Sequence, residues 1–346
     1  MLKQFIEIID TGTSLTSEQA EQALSIIMDG NADNNQIEHL LLSLSNKGEH
    51  ITELVGFAKA MRAHSISVNL DNSNLLDTCG TGGDGGNIFN ISTAVAFVAA
   101  AAGIPVAKHG NRAVSGKSGS VDVLEALGIN IQLDQLQSQH IFNETNLVFL
   151  FAQQHHPTMK YVAPIRKKLQ RRTIFNMVGP LTNPAGASYQ IIGVYSESLA
   201  EQLGEALLEL GGKQALIVHS HSGLDELSID GANTIVEIRN GELRKYTITP
   251  EEVGLQKGPL CEVSGGSAKE NAETIVDVFR GTNKGVDRDM LVFNAGAALY
   301  IADKCKSIAE GVQLVEMLLD SKQVYKKYQQ YKQLSNQFIG TEGAIS

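Results

Sequence analysis

Five glycines stand within the seven residues from Gly80 to Gly86, directly after the apolar run Leu75–Thr78 and shortly before an Ala-rich run. Glycine at this density suits neither a helix nor a ladder, so the chain must turn here. It also allows close backbone approach, so that successive N–H groups can converge on an anion. A plain flexible surface loop is the alternative. The strand before and the helix after favour an anion-binding turn. Gly80, Gly82 and Gly85 match GxGxxG formally, yet a dinucleotide fold also needs a helix opening at the glycines and an acidic residue about 20 positions on. Asn87 to Ser92 intervene, and no Asp or Glu occurs from Gly85 through Val121. A P-loop is excluded because no Gly-Lys-Ser/Thr closes the loop.

Short apolar runs alternate with helical spacing around this loop. Strands are predicted at Leu75–Thr78, Pro105–Lys108, Leu147–Phe151, Gln190–Tyr195 and Ala215–His219. Helices are predicted at Thr93–Ala102, Gly119–Leu127 and Ser198–Leu210. This alternation implies an α/β domain with a mainly parallel central sheet. Thr234–Ile238 and Leu243–Ile248 flank Asn240-Gly241, a hairpin signature. Residues 1–70 read as a small all-helical domain, joined by a contribution from about 160–185, and 74–346 as the large α/β domain. Thr16 with Gln19 is a capping box opening one of the early helices, and Gly48 ends another.

The formal net charge is −10, a poor default for binding nucleic acid or an anionic membrane. Cys79, Cys261 and Cys305 are far apart with no CxxC pair, which argues for a reducing cytoplasm and against a disulfide framework or a structural zinc. The first ten residues mix Lys3, Glu7 and Asp10 with apolar residues, unlike a signal peptide. The near-apolar run Ile91–Ala107 is broken by Ser92, Thr93, Gly103 and Pro105 and is too short to span a bilayer.

Within this acidic chain, the 37 residues Gly85–Val121 carry Lys108, Arg112 and Lys117 and no acid. They also carry the donors Asn90, Ser92, Thr93, Asn111, Ser115, Ser118 and Ser120. This reads as a local positive island suited to a substrate with several phosphates. Ser92 or Thr93 is expected to cap the Ala-rich helix, whose N-terminus adds free N–H groups and a positive dipole end. Ser118-Gly119-Ser120 opens a second helix. Further on, His219-Ser220-His221-Ser222-Gly223-Leu224-Asp225-Glu226 permits two metal readings. His219, His221 and a carboxylate suit zinc. Asp225 and Glu226 suit Mg²⁺ completed by water and substrate oxygens, which phosphate binding elsewhere favours. Arg166 has the fork to grip a carboxylate, although its basic neighbours alone point to a surface role. His155 and His156 read as loop or packing residues.

Gly80-Thr-Gly-Gly-Asp84, Asn90-Ile-Ser-Thr93, Lys108-His-Gly-Asn-Arg112, Ser118-Gly-Ser120 and Val178-Gly-Pro-Leu-Thr-Asn-Pro184, in this order, closely resemble anthranilate phosphoribosyltransferases. The resemblance implies a fold of the class III nucleoside phosphorylase-like group, a cytoplasmic homodimer, and magnesium, two ions per subunit. It implies transfer of the phosphoribosyl group of phosphoribosyl diphosphate to anthranilate, in tryptophan biosynthesis. It places phosphoribosyl diphosphate against Gly80, Gly83, Asp84, Asn90, Ile91, Ser92, Thr93, Lys108, His109, Gly110, Asn111, Arg112, Ala113, Val114, Ser115, Gly116 and Ser120. It places anthranilate against Gly80, Asn111 and Arg166, and magnesium against Ser92, Asp225 and Glu226. Ile88 and Gly116 depart from the pattern, where a threonine and a serine are usual. No arrangement of residues demands a covalent nucleophile or a strong base. A nucleoside phosphorylase of the same fold and a catalytically silent, nucleic-acid-binding relative are the rival readings. The acidic charge speaks against the second.

Overall fold

The computed structural model describes residues 2–70, 72, 74–82, 88–113 and 117–339. Four helices come first: α1 (Leu2–Asp10), α2 (Ser17–Met28), α3 (Asn34–Lys47) and α4 (Ile51–Ala63). The capping box at α2 is present. Thr16 Oγ1 accepts from Gln19 N at 3.2 Å, and Gln19 Oε1 accepts from Thr16 N at 3.0 Å. The apolar stripes of these helices share one core with Val162, Ile165, Ile174, Phe175 and Leu181, and with Leu199, Leu203 and Leu207.

Seven strands of the described residues form one sheet in the order β3-β2-β1-β4-β5-β6-β7. They are β1 (Leu76–Asp77), β2 (Val106–Gly110), β3 (Leu147–Phe151), β4 (Tyr189–Gly193), β5 (Gln214–Ser220), β6 (Asn233–Arg239) and β7 (Glu242–Ile248). The first five are parallel, and β6 and β7 are antiparallel. Crossovers carry α5 (Ile91–Ala101), α6 (Ser120–Ala126), α7 (Gln135–Thr145), α8 (Ala152–His155), α9 (Ala163–Leu169) and α10 (Glu197–Glu209). After the hairpin come α11 (Ala268–Arg280), α12 (Val286–Ile301), α13 (Ile308–Asp320) and α14 (Gln323–Asn336). These pack with α5 in a second core, where Phe97 meets the rings of Phe149, Phe279, Tyr328 and Tyr331 at 5.3–5.9 Å.

The predicted hairpin is present. Asn240 and Gly241 both have positive φ, 54° and 78°, as a two-residue turn of this hand requires. β1 is shorter than its apolar run predicts. The Thr78 carbonyl accepts from Lys108 Nζ at 3.1 Å and its hydroxyl donates to the Ser92 carbonyl at 2.8 Å, so Thr78 turns out of the ladder. No helix among the described residues is long and apolar enough to cross a membrane.

β1 lies between β2 and β4, so the chain winds outward one way and then returns to wind the other. Such a reversal leaves a crevice beyond the carboxyl ends of the strands, where ligands of open α/β sheets bind. Residues 80–82 leave β1 at that crevice.

Candidate active site

The loop crosses the end of β4. Thr81 N donates to the Gly193 carbonyl at 2.8 Å and Thr81 Oγ1 to the same oxygen at 3.1 Å. A Cβ on Gly80 would stand 3.1 Å from the Gly193 carbonyl oxygen and 3.4 Å from Asp225 Oδ2. A Cβ on Gly193 would overlap the Asp225 carbonyl. Bare backbone at 80 and 193 thus lets the segments leaving β1, β4 and β5 touch. Gly193 was not singled out in the sequence; its only signal is a glycine closing an apolar strand. The cavity formed there holds about 250 Å³ with its mouth, and Thr78, Gly80, Ser92, Val95, Ile191, Gly193, Glu226 and Asn294 line it.

Lys108 is 2% exposed, and its ammonium contacts the Thr78 carbonyl and, at 3.3 Å, Ser92 Oγ. Beneath it Asp77 accepts from His109 N at 3.1 Å and Asn183 Nδ2 at 2.7 Å. Burial pushes the Asp77 carboxyl up to about 6, with the Lys108 charge opposing. A second hollow, about 270 Å³ with its open mouth, is lined by Lys108, Gly110, Ser120, Val121, Phe149 and Phe151. The cap expected at Ser92 or Thr93 is displaced. α5 opens at Ile91 with Asn90 as N-cap, and no side chain caps it. Thr93 is buried one turn in, while Ser92 reaches the cavity. The Asn90 side chain instead ties the start of α5 to the segment before α6 and to α11. Its Oδ1 accepts from Ser118 Oγ at 3.1 Å and Asn271 Nδ2 at 3.0 Å, and its Nδ2 donates to the Ser118 carbonyl at 3.1 Å.

Within the positive island Arg112 is already paired: it forms a fork with Glu125 at 2.6 and 2.7 Å and reaches Asp122 at 3.0 Å, while its side chain stays 39% exposed. The same Asp122 accepts from Ala113 N and Gly119 N, each at 2.9 Å. The acid-free run ends one residue before Asp122, and α6 folds its carboxylates back over the loop. Ser120 Oγ donates to the Asn111 carbonyl and accepts from Asn111 N, both at 3.1 Å, and lies against Gly110. Gly83, Asp84, Val114, Ser115 and Gly116 lie outside the described residues.

Arg166 is not in the wall of the Gly80 cavity. It lies over the Phe175 ring, 5.6 Å from its centroid, and its guanidinium reaches Asn176 Oδ1 at 3.4 Å. Burial holds its pKa below the usual value. The turn from Asn176 links it to the strands, because Asn183 at its far end bridges Asp77 and, at 2.8 Å, the Ala107 carbonyl. His109 and His156 face each other beside this turn, ring centres 5.2 Å apart and both buried. Burial, then the neighbouring histidines, depresses His109 to about 3 and His156 to about 4. A histidine depressed on folding adds stability above its unfolded pKa of about 6.5 and loses it as pH falls toward the folded value. The expected slope is about 1.4 kcal/mol per pH unit for each ring over that window. Urea midpoints at pH 7, 6 and 5 should therefore fall less steeply in His156→Leu than in the parent; parallel curves would refute the assignment.

The zinc reading does not hold. His219 Nδ1 bonds the Val194 carbonyl at 2.9 Å and His221 Nε2 bonds Thr234 Oγ1 at 3.0 Å. No group of three or more His, Cys, Asp or Glu among the described residues is placed to hold a metal. Ser92 and Glu226 share the cavity wall, and Asp225 Oδ2 adjoins Gly80. Two carboxylates and a hydroxyl fit a hard cation whose shell is finished by substrate and water oxygens, as magnesium's commonly is.

Residues 72–324 match the family model described as "Glycosyl transferase family, a/b domain", and residues 3–65 the "Glycosyl transferase family, helical bundle domain". The chain is 48% identical over 339 residues to the anthranilate phosphoribosyltransferase of Brevibacillus brevis, covering 98% of this chain and 99% of that one. The chain belongs to the anthranilate phosphoribosyltransferase family. The anthranilate phosphoribosyltransferase of Petrotoga mobilis is 43% identical over the whole of both chains. The crystal structure of the Thermus thermophilus family member superposes with a TM-score of 0.90 at 40% identity, covering 96% of this chain and 99% of that one. The Saccharomyces cerevisiae anthranilate phosphoribosyltransferase in complex with PRPP and Mg gives a TM-score of 0.88 at 26% identity, covering 97% and 98%.

Proposed function

We propose that the chain transfers the phosphoribosyl group of 5-phosphoribosyl 1-diphosphate to the amine of anthranilate, giving N-(5-phosphoribosyl)anthranilate and diphosphate, in tryptophan biosynthesis in the cytoplasm. The observation that carries this reading is the meeting of Gly80, Ser92, Lys108, Asp225 and Glu226 at the crevice between β1 and β4. The C1′–oxygen bond to diphosphate breaks, the amine nitrogen bonds C1′, and the amine gives up a proton. An aromatic amine is neutral at pH 7, so placement serves where a strong base is not needed.

Phosphoribosyl diphosphate is assigned to Gly80, Gly83, Asp84, Asn90–Thr93, the run from Lys108 to Gly116, and Ser120. Lys108 supplies a buried positive charge, and Asn90 and Ser120 hold the loops that carry the backbone donors. Magnesium, held by Ser92, Asp225 and Glu226 at two ions per subunit, would offset charge on the departing diphosphate. Anthranilate is assigned to Gly80, Asn111 and Arg166. Arg166 already grips an amide oxygen and is partly desolvated, which suits it to a carboxylate. A division into a helical domain of residues 1–70, joined by about 160–185, and an α/β domain of 74–346 is proposed; the early helices share a core with Val162 to Leu181 and also with Leu199, Leu203 and Leu207 of α10. A homodimer is proposed with these, to be read as twice the chain mass in sedimentation.

The test is loss of anthranilate fluorescence with phosphoribosyl diphosphate and Mg²⁺, abolished by EDTA and restored by Mg²⁺. Consumption of a nucleoside with phosphate, and none of anthranilate, would favour the phosphorylase alternative. Arg166→Ala should raise the KM for anthranilate about 10–100-fold, the worth of a charged hydrogen bond. The KM for phosphoribosyl diphosphate should stay nearly constant, and equal weakening of both would assign Arg166 a structural part.

A further inference from the structure

Two asparagines grip the peptides that follow Glu226. Asn294, in the middle of α12 and 1% exposed, accepts from Leu227 N at 2.8 Å and donates to the Leu227 carbonyl at 2.8 Å. Its amide also donates to the Met290 carbonyl one turn back, at 2.9 Å, which fixes the side chain to its own helix. Asn233, at the start of β6, treats the next residue alike. It accepts from Ser228 N at 2.7 Å and donates to the Ser228 carbonyl at 2.9 Å. Leu227 and Ser228 therefore have both backbone groups paired with a side-chain amide, where no ladder would pair them. On the other side, Gly193 packs against the Asp225 carbonyl. The Asp225–Glu226 backbone is held from both ends, and Asn294 itself shares the cavity wall with Ser92 and Glu226.

Packing alone does not explain an amide here. Asn294 interrupts an otherwise apolar and buried run from Met290 to Ala298, asparagine is a weak helix former, and a buried amide is costly unless bonded. An apolar side chain would fill α12 at lower cost but could not hold Leu227.

We infer that Asn294 is a positioning residue that aims the Asp225 and Glu226 carboxylates at the metal. This rests on the proposed magnesium site. Groups that orient metal ligands typically change metal affinity about 10–100-fold when removed.

The test measures Mn²⁺ binding by EPR, with phosphoribosyl diphosphate present, on the parent, Asn294→Ala, Asn294→Ser, Glu226→Ala and Val292→Ala. Asn294→Ser leaves a hydroxyl and room for water, and stands in should the alanine variant fold poorly. Either Asn294 variant should bind Mn²⁺ about 10-fold more weakly or worse. Turnover should recover as Mg²⁺ is raised, with the KM for anthranilate unchanged. Val292→Ala opens a void in the same helix without touching the clamp; it should lower the melting temperature and leave Mn²⁺ affinity as in the parent. Unchanged Mn²⁺ affinity in a folded Asn294 variant, beside weakened binding in Glu226→Ala, would overturn the inference. So would equal weakening in Val292→Ala. Unchanged binding in Glu226→Ala would instead overturn the magnesium site itself.

Discussion

Replacing Gly193 with alanine is expected to cost at least about 100-fold in kcat, because the new methyl cannot coexist with the Asp225 carbonyl. Either the end of β4 or the segment after β5 must back away. Both line the cavity, and a shift near 1 Å at reacting groups costs on the order of 10²-fold. Overpacking of this kind also destabilises, by about 1–3 kcal/mol. The measurement pairs kcat with a thermal melt. A folded variant with parental kcat would show that the contact between β4 and Asp225 does not set the site's geometry.

On the proposed reading, Glu226→Ala should lower kcat on the order of 10²–10³-fold, the range for losing one preorganised charge-stabilising group. Glu226 is only half-buried, so the fold should survive, and circular dichroism with a melt would check it. The residual activity should also need more Mg²⁺ than the parent's. Full activity at parental Mg²⁺ would remove the metal assignment.

The elements that could be read in advance are those with a local cause. The strand at Leu147–Phe151 coincides with its apolar run, and the turn at Asn240-Gly241 follows from residues that tolerate positive φ. Residues 80–82, the described part of the glycine run, lie outside regular structure, as their composition leads one to expect. Contacts between distant segments were not. Nothing near Gly193 announces that a carbonyl from residue 225 will press on it, and nothing near Asn294 announces Leu227. Charge counted along the chain likewise takes no account of α6, whose Asp122 and Glu125 return to Arg112. The role proposed for Arg166 rests only on the family likeness, since its local sequence by itself favours a surface arginine.

The antiparallel end of the sheet has one more effect. Among the described residues β7 has no strand beyond it, yet it presents Glu242, Arg244 and Lys245 to solvent, and Lys245 is tied to Glu197 and Glu201 of α10. A bare strand edge is a template on which further copies can add, and charge along it discourages that growth. The charged side chains along β7 therefore discourage the addition of a further strand at this edge.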